Sequence, residues 1–171
     1  EKITKALQNN AFTILGTYNP SNKSTLKVIA LTRTDLKNTV VKVTDRGALA
    51  AVFKVGLVEK NGKVIMSYTN PEYILRAYLG DSYNTHKNTL QKVTADLKTT
   101  FAAIGQESSP FGGSMKAENL KKYHYKVMMP YFTDPVTLQE FSSFKQGVKT
   151  IEANLKAKKG ETILVYKLIY E

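Results

Sequence analysis

His86 and His124 are the only two histidines, and the chain has no cysteine. Those two facts bound its chemistry, because histidine is the side chain whose ordinary proton equilibrium lies nearest neutral pH. Without cysteine there is no thiol nucleophile, no thiolate metal site and no disulfide. A nucleophile-base-orienter triad needs three groups in contact, and no G-x-S-x-G elbow accompanies either histidine. The two histidines are also too far apart in sequence to form an H-E-x-x-H zinc motif. His86 stands one turn before Leu90 on a predicted helix and reads as a structural residue at the top of its apolar stripe. The acidic residues are scattered. Asp45 and Asp81 lie near Arg46 or apart from it, and Glu72 sits beside Tyr73, but no spacing matches a calcium loop or a pair of glycosidase carboxylates. Pro110-Phe111-Gly112-Gly113-Ser114-Met115 has the glycines of a phosphate cradle, yet it lacks the preceding strand and the Lys-Thr pair, so it reads as a linker.

His124 has more interesting neighbours. The run Lys122-Tyr123-His124-Tyr125-Lys126-Val127-Met128-Met129-Pro130-Tyr131 predicts a strand over 123–129. Alternation would send Tyr123, Tyr125, Val127 and Met129 to one face, and His124, Lys126 and Met128 to the other. A histidine and a methionine on one face, ringed by aromatics, are the ligand types that hold haem axially. With no C-x-x-C-H motif, that haem would be bound non-covalently. The competing reading is a cross-strand packing face with a polar histidine at its edge. Ten tyrosines and no tryptophan suit a wet pocket or an adhesive interface as well as a core. The expected ligand-binding set is Tyr68, Tyr73, His124, Met128 and Tyr131, with no catalytic and no metal-ligating residue.

The elements that would carry these residues follow from periodicity and turn chemistry. Lys63-Val64-Ile65-Met66-Ser67-Tyr68-Thr69-Asn70-Pro71 and Lys126-Val127-Met128-Met129-Pro130-Tyr131-Phe132-Thr133-Asp134-Pro135 rhyme: each is an apolar run closed by a tyrosine and an Asx-Pro step. Proline fixes φ, biases the residue before it to extended geometry and is well placed to open a helix. The rhyme predicts two related halves. In the first, a short helix over 2–9 precedes strands over 11–18 and 26–32, and Thr34-Asp35 caps a helix or turn. Runs over 52–59 and 63–68 flank Asn61-Gly62 as a type I′ hairpin. A helix over 72–79 follows, then a long one over 83–104 with the stripe Leu90, Val93, Leu97, Phe101 and Ile104. In the second half the pattern gives a helix over 142–157, with the stripe Phe144, Val148, Ile151 and Leu155. A final strand over 162–170 is apolar almost throughout, so it should be covered on both faces or pair across a subunit boundary. The expected organisation is 1–105, a linker over 106–120, and 121–171 sharing the sheet or interface.

The net charge of +11 raises nucleic acid as a partner, but the kind of cation argues against it. Only Arg33, Arg46 and Arg76 are arginines, and the lysines are spread along the chain, so they read as a solvated surface. No apolar run is long enough to span a bilayer as a helix. The cysteine-free composition and the opening at Glu1 fit an exported mature chain, periplasmic or extracellular.

The first half, from the opening helix through the hairpin Glu59-Lys60-Asn61-Gly62 to Ser67-Tyr68-Thr69-Asn70-Pro71-Glu72, resembles domain-of-unknown-function family 302 over roughly residues 1–104. The resemblance implies a split β-α-β arrangement with helices on one face of a small antiparallel sheet, often in a dimer, and no established reaction. Asn70 stands where that family commonly has aspartate. Phe53-Lys54-Val55-Gly56 stands where a Pro-Cys pair can occur, so no cysteine-based role carries over.

Together these features predict an α+β protein of two related split β-α-β halves. It would be an exported, non-enzymatic binder of a small ligand (haem or another hydrophobic molecule) or of a protein partner, and homo-oligomeric. The alternative is a self-assembling surface protein that uses its apolar C-terminal strand.

Overall fold

The computed structural model describes residues 1–105, 108–113, 115–122, 124, 126–131 and 134–170. Helix α1 (Lys2–Asn9) buries Leu7, and Ala11 at φ 63° turns the chain into β1 (Thr13–Tyr18). Strand β2 (Leu26–Thr32) leads through α2 (Thr34–Val40) to β3 (Phe53–Lys60) and β4 (Lys63–Tyr68). Asn61 and Gly62 join the last two strands at φ 53° and 70°, the positive pair that a type I′ hairpin needs. Helices α3 (Pro71–Leu79), α4 (Lys87–Ala102) and α5 (Phe144–Lys156) follow.

The four strands lie in the order β1-β2-β3-β4, and each neighbouring pair is antiparallel. Register sets Leu31 against Phe53, Ile29 against Val55, Val55 against Tyr68 and Leu57 against Met66, which makes one face of the sheet apolar. Helices α1 to α4 cover that face with Leu7, Leu36, Val40, Leu75, Leu90, Val93 and Leu97, all buried in one cluster. The expected class, an antiparallel sheet with helices packed on one face, is therefore what the chain forms. Its connectivity is a meander: α2 lies in the β2–β3 connection, but those two strands are antiparallel neighbours. A split β-α-β unit would instead need a parallel crossover.

Past Gly105 the predictions and the structure part. Residues 108–113, 115 and 116 are irregular, with Gly112 and Gly113 at φ 87° and 91°. A 3-10 turn, Ala117–Lys122, then docks against α3 and buries Leu120. The strand expected over 123–129 is not formed by the described residues of that stretch. Tyr123 and Tyr125 lie outside the described set, and residues 126–129 make a turn closed by the Met129 amide donating to the Lys126 carbonyl at 3.0 Å, with Met128 at φ 71°. The strand expected over 162–170 is not one either. The segment is without ladder, and among the described residues no backbone hydrogen bond involves 163–170. The physical reason is shared. Strand preference measures how well a side chain fits a pleated surface beside a hydrogen-bonded neighbour, and among the described residues neither segment has such a ladder.

The C-terminal segment still touches the folded part. A Cβ built on Gly16 would run into the carbonyl oxygen of Val165, so the segment lies directly against the outer strand β1, beside the irregularity between Ile14 and Gly16. Leu168 and Tyr170 pack against the core cluster, and the Tyr170 hydroxyl donates to the Ala48 carbonyl at 2.8 Å. Lys167 forms an ion pair with Glu152 of α5.

Candidate functional site

Two polar clusters sit in the packed part. Arg33, at the end of β2, has a side chain only 6% exposed. Its Nε and Nη2 donate to the two carboxylate oxygens of Asp35 at 2.7 and 2.9 Å, and its Nη1 donates to Asp96 Oδ2 of α4 at 2.6 Å. The guanidinium also lies 5.1 Å from the centre of the Phe12 ring, within cation–π reach. Burial by itself would lower the arginine pKa, but the bonds to Asp35 and Asp96 outweigh it and raise the value. Burial likewise works to raise Asp35, and Arg33 reverses it, holding the carboxyl below its usual range. Lys92 and then Arg33 lower Asp96. The arginine's donors go to carboxylates of its own chain, which makes this a clamp between β2, α2 and α4.

The second cluster is on α3. Asn70 caps the helix, its side chain accepting from the Glu72 amide at 3.2 Å, as the Asx-Pro step predicts. Glu72 Oε1 accepts from Arg76 Nη2 at 2.9 Å and from the buried Tyr83 hydroxyl at 3.0 Å. Arg76 stacks over the Tyr83 ring at 4.0 Å. The Arg76 bonds chiefly, with the Tyr83 hydroxyl adding, lower the Glu72 pKa against the opposing effect of burial. Burial first and Glu72 second raise that of Tyr83. Helical spacing brings Arg76 to Glu72, one turn on. The neighbouring pair Asp45 and Arg46 does form, at 2.7 Å.

The five residues expected to line a cleft are distributed differently. Tyr68 turns into the helix-covered face and packs on Phe101, ring centres 4.5 Å apart. Tyr73 is half-buried on α3, the helix against which the turn before His124 docks. His124 and Tyr131 do meet, with ring centres 5.0 Å apart and planes tilted by 31°. Met128 is 96% exposed on the turn that replaces the expected strand, so the alternation argument that put it on the face of His124 does not apply. The His-Met pair of axial ligands is thus not built by a strand. His86 is half-buried at the start of α4, in keeping with a structural role.

The turn holding Tyr131 has its own logic. Its amide donates to Asp134 Oδ2 at 3.0 Å, and the Asp134 amide donates back to the Tyr131 carbonyl at 2.9 Å. Asp134 therefore closes a loop behind itself, whereas Asn70 caps a helix ahead of it. A shallow surface cavity lies elsewhere, lined by Lys37, Asn38, Val41, Ile169 and Tyr170. Among the described residues no group of three or more His, Asp or Glu side chains is placed to hold a metal ion, and no helix is long and apolar enough to cross a membrane.

What the sequence did not announce is the amount of apolar surface left open among the described residues from 108 to 144. Phe111, Val127, Met128, Val136, Leu138 and Phe144 are all exposed. Val127 and Met128 were expected in a strand and Phe144 on the stripe of a helix, whereas Phe111 falls in the expected linker and Val136 and Leu138 in no expected element. No protein-family model and no curated protein matches the chain.

Proposed function

We propose that the protein is an exported, non-enzymatic binding protein, taking up a small hydrophobic ligand, or the apolar surface of a protein partner, at His124 and Tyr131 on an α+β scaffold. One observation carries this reading: the contrast in apolar burial between the two parts of the chain. Helices α1 to α4 sink their stripes into a shared core, while most of the described large apolar side chains from Phe111 to Phe144 are exposed. Exposed apolar surface of that density is a feature of interaction sites. The excess of 25 Lys and Arg over 14 Asp and Glu favours an amphipathic anion. Haem fits that description, a flat apolar ring with two carboxylates and an iron that a single imidazole can hold. A cysteine-free fold is independent of redox compartment, which suits export.

The test is a haem titration followed by the Soret band. The reading expects a saturable band for the native chain and its loss in the double variant His124→Ala, Tyr131→Ala. An absent band, or one the double variant leaves unchanged, removes it.

A second reading, self-assembly, is favoured by a separate observation: 163–170 has no backbone hydrogen bond among the described residues. Size measured across protein concentrations tests it, and a monomer throughout would end it.

A further inference from the structure

The segment Ile163-Leu164-Val165-Tyr166-Lys167-Leu168-Ile169 reads almost the same in both directions. Laid antiparallel against a second copy with a two-fold axis at Tyr166, it sets Ile163 opposite Ile169, Leu164 opposite Leu168 and Tyr166 opposite itself. Val165 and Lys167 face each other, the only position at which the two directions differ. This matters because a two-fold interface must be self-complementary, and directly opposed residues are the unit of sheet stabilisation. The charge pattern fits as well. Lysine meets valine rather than lysine, and Lys167 is already paired with Glu152, so two basic chains can approach here without directly opposed like charges.

The structure supplies the other half of the case. Residues 163–170 have no backbone hydrogen bond among the described residues, so apart from the Val165 carbonyl, which lies against Gly16, their amide and carbonyl groups are available to a ladder. Ile163, Leu164 and Ile169 are more than half exposed, and in this register each finds an apolar partner. Leu168 and Tyr170, by contrast, already point into the core cluster of their own chain, which fixes one face of the segment and leaves an edge for the partner. A two-stranded ribbon is marginal alone. Here it rests on a folded body through Leu168, Tyr170 and the Val165 contact with Gly16.

We propose that two copies of the chain associate through residues 163–169, paired antiparallel about Tyr166. This rests on the self-assembly reading above and names its partner and register. The chain has no cysteine, so single-cysteine variants report geometry cleanly. Tyr166→Cys should form a disulfide-linked dimer under mild oxidation, far ahead of the exposed control Lys149→Cys. Sedimentation should show a concentration-dependent dimer, weakened at least tenfold by Leu164→Lys. That position is exposed in the single chain, so the variant should keep the native circular dichroism spectrum. A monomer at every concentration overturns both the proposal and the self-assembly reading. A dimer that does not cross-link preferentially at position 166, or that ignores Leu164→Lys, overturns this register alone. A monomer whose 163–170 amides resist hydrogen exchange also overturns it, because the segment would then be covered within its own chain.

Discussion

Arg33 shows how little of a site is visible in local sequence. Thr34-Asp35 predicts the cap of a helix or turn; α2 does start there, but its N-cap is Arg33 with no side-chain cap bond, and Asp35 lies in the first turn, accepting from the Leu36 amide at 2.9 Å. Its larger role is to hold Arg33, whose other partner, Asp96, comes from a distant helix. Nothing in the sequence announces that pairing. Removing the guanidinium strands Asp35, leaves Asp96 with Lys92 alone and loses the Phe12 contact, so Arg33→Ala should cost about 2 kcal/mol in denaturant unfolding, discounted because both carboxylates keep partial access to water. Asp96→Asn should cost less, since Asp35 remains. The pH dependence follows from the lowered pKa values of Asp35, Asp96 and Glu72. A depressed carboxylate stabilises the fold in full above its unfolded pKa of about 4 and loses that contribution as pH falls through the lower folded value. The melting temperature should therefore drop steeply below about pH 4. The double variant Asp35→Asn, Asp96→Asn should flatten that slope when melting is followed by circular dichroism. Tyr83 has the opposite sign, its raised pKa giving stability that is lost as pH rises through the folded value.

Elements were legible wherever a local pattern coincided with a packing partner. The hairpin at Asn61-Gly62, the stripe of α4 and the cap at Asn70 were all readable, and all lie in the part that shares a core. Asn70→Ala removes one cap and should cost about 1 kcal/mol, measured as a shift in urea midpoint at unchanged m-value. The two rhyming segments diverge for reasons that the residues after each proline make plain. Pro71 is followed by Glu72-Tyr73-Ile74-Leu75-Arg76-Ala77, which combines an acidic first turn with helix formers and an apolar face. Pro135 is followed by Val136-Thr137-Leu138, where β-branched residues disfavour a helix and no strand stands beside them. Likeness in four or five residues thus coincides with two different turns, a helix cap at Asn70 and a loop closed behind itself at Asp134. Helix α5 was found from its stripe and is capped by Ser143, yet Phe144 is 88% exposed. Periodicity tells which face is apolar without telling whether anything covers it.

At the scale of the whole molecule, the chain divides by packing. Among the described residues, 1–105 hold the sheet, four α-helices and nearly all of the buried apolar side chains, while those from 108 to 170 add one α-helix, the anchor at Leu120 and a segment laid along β1. Cleavage by a protease in limiting amount should therefore begin between 108 and 142, where the described chain has little regular structure and few protecting hydrogen bonds. The product masses read by mass spectrometry should leave the span 1–105 intact. The central claim is that His124 and Tyr131, in a stretch whose described large apolar side chains are mostly exposed, form the binding site. With only two histidines in the chain, its most direct test is the pair of imidazole signals in a heteronuclear NMR spectrum during titration with a diamagnetic zinc porphyrin bearing two carboxylates. The account predicts that the His124 ring signals shift with saturation while those of His86 stay in place. Movement of His86, or no movement of either ring, would contradict it.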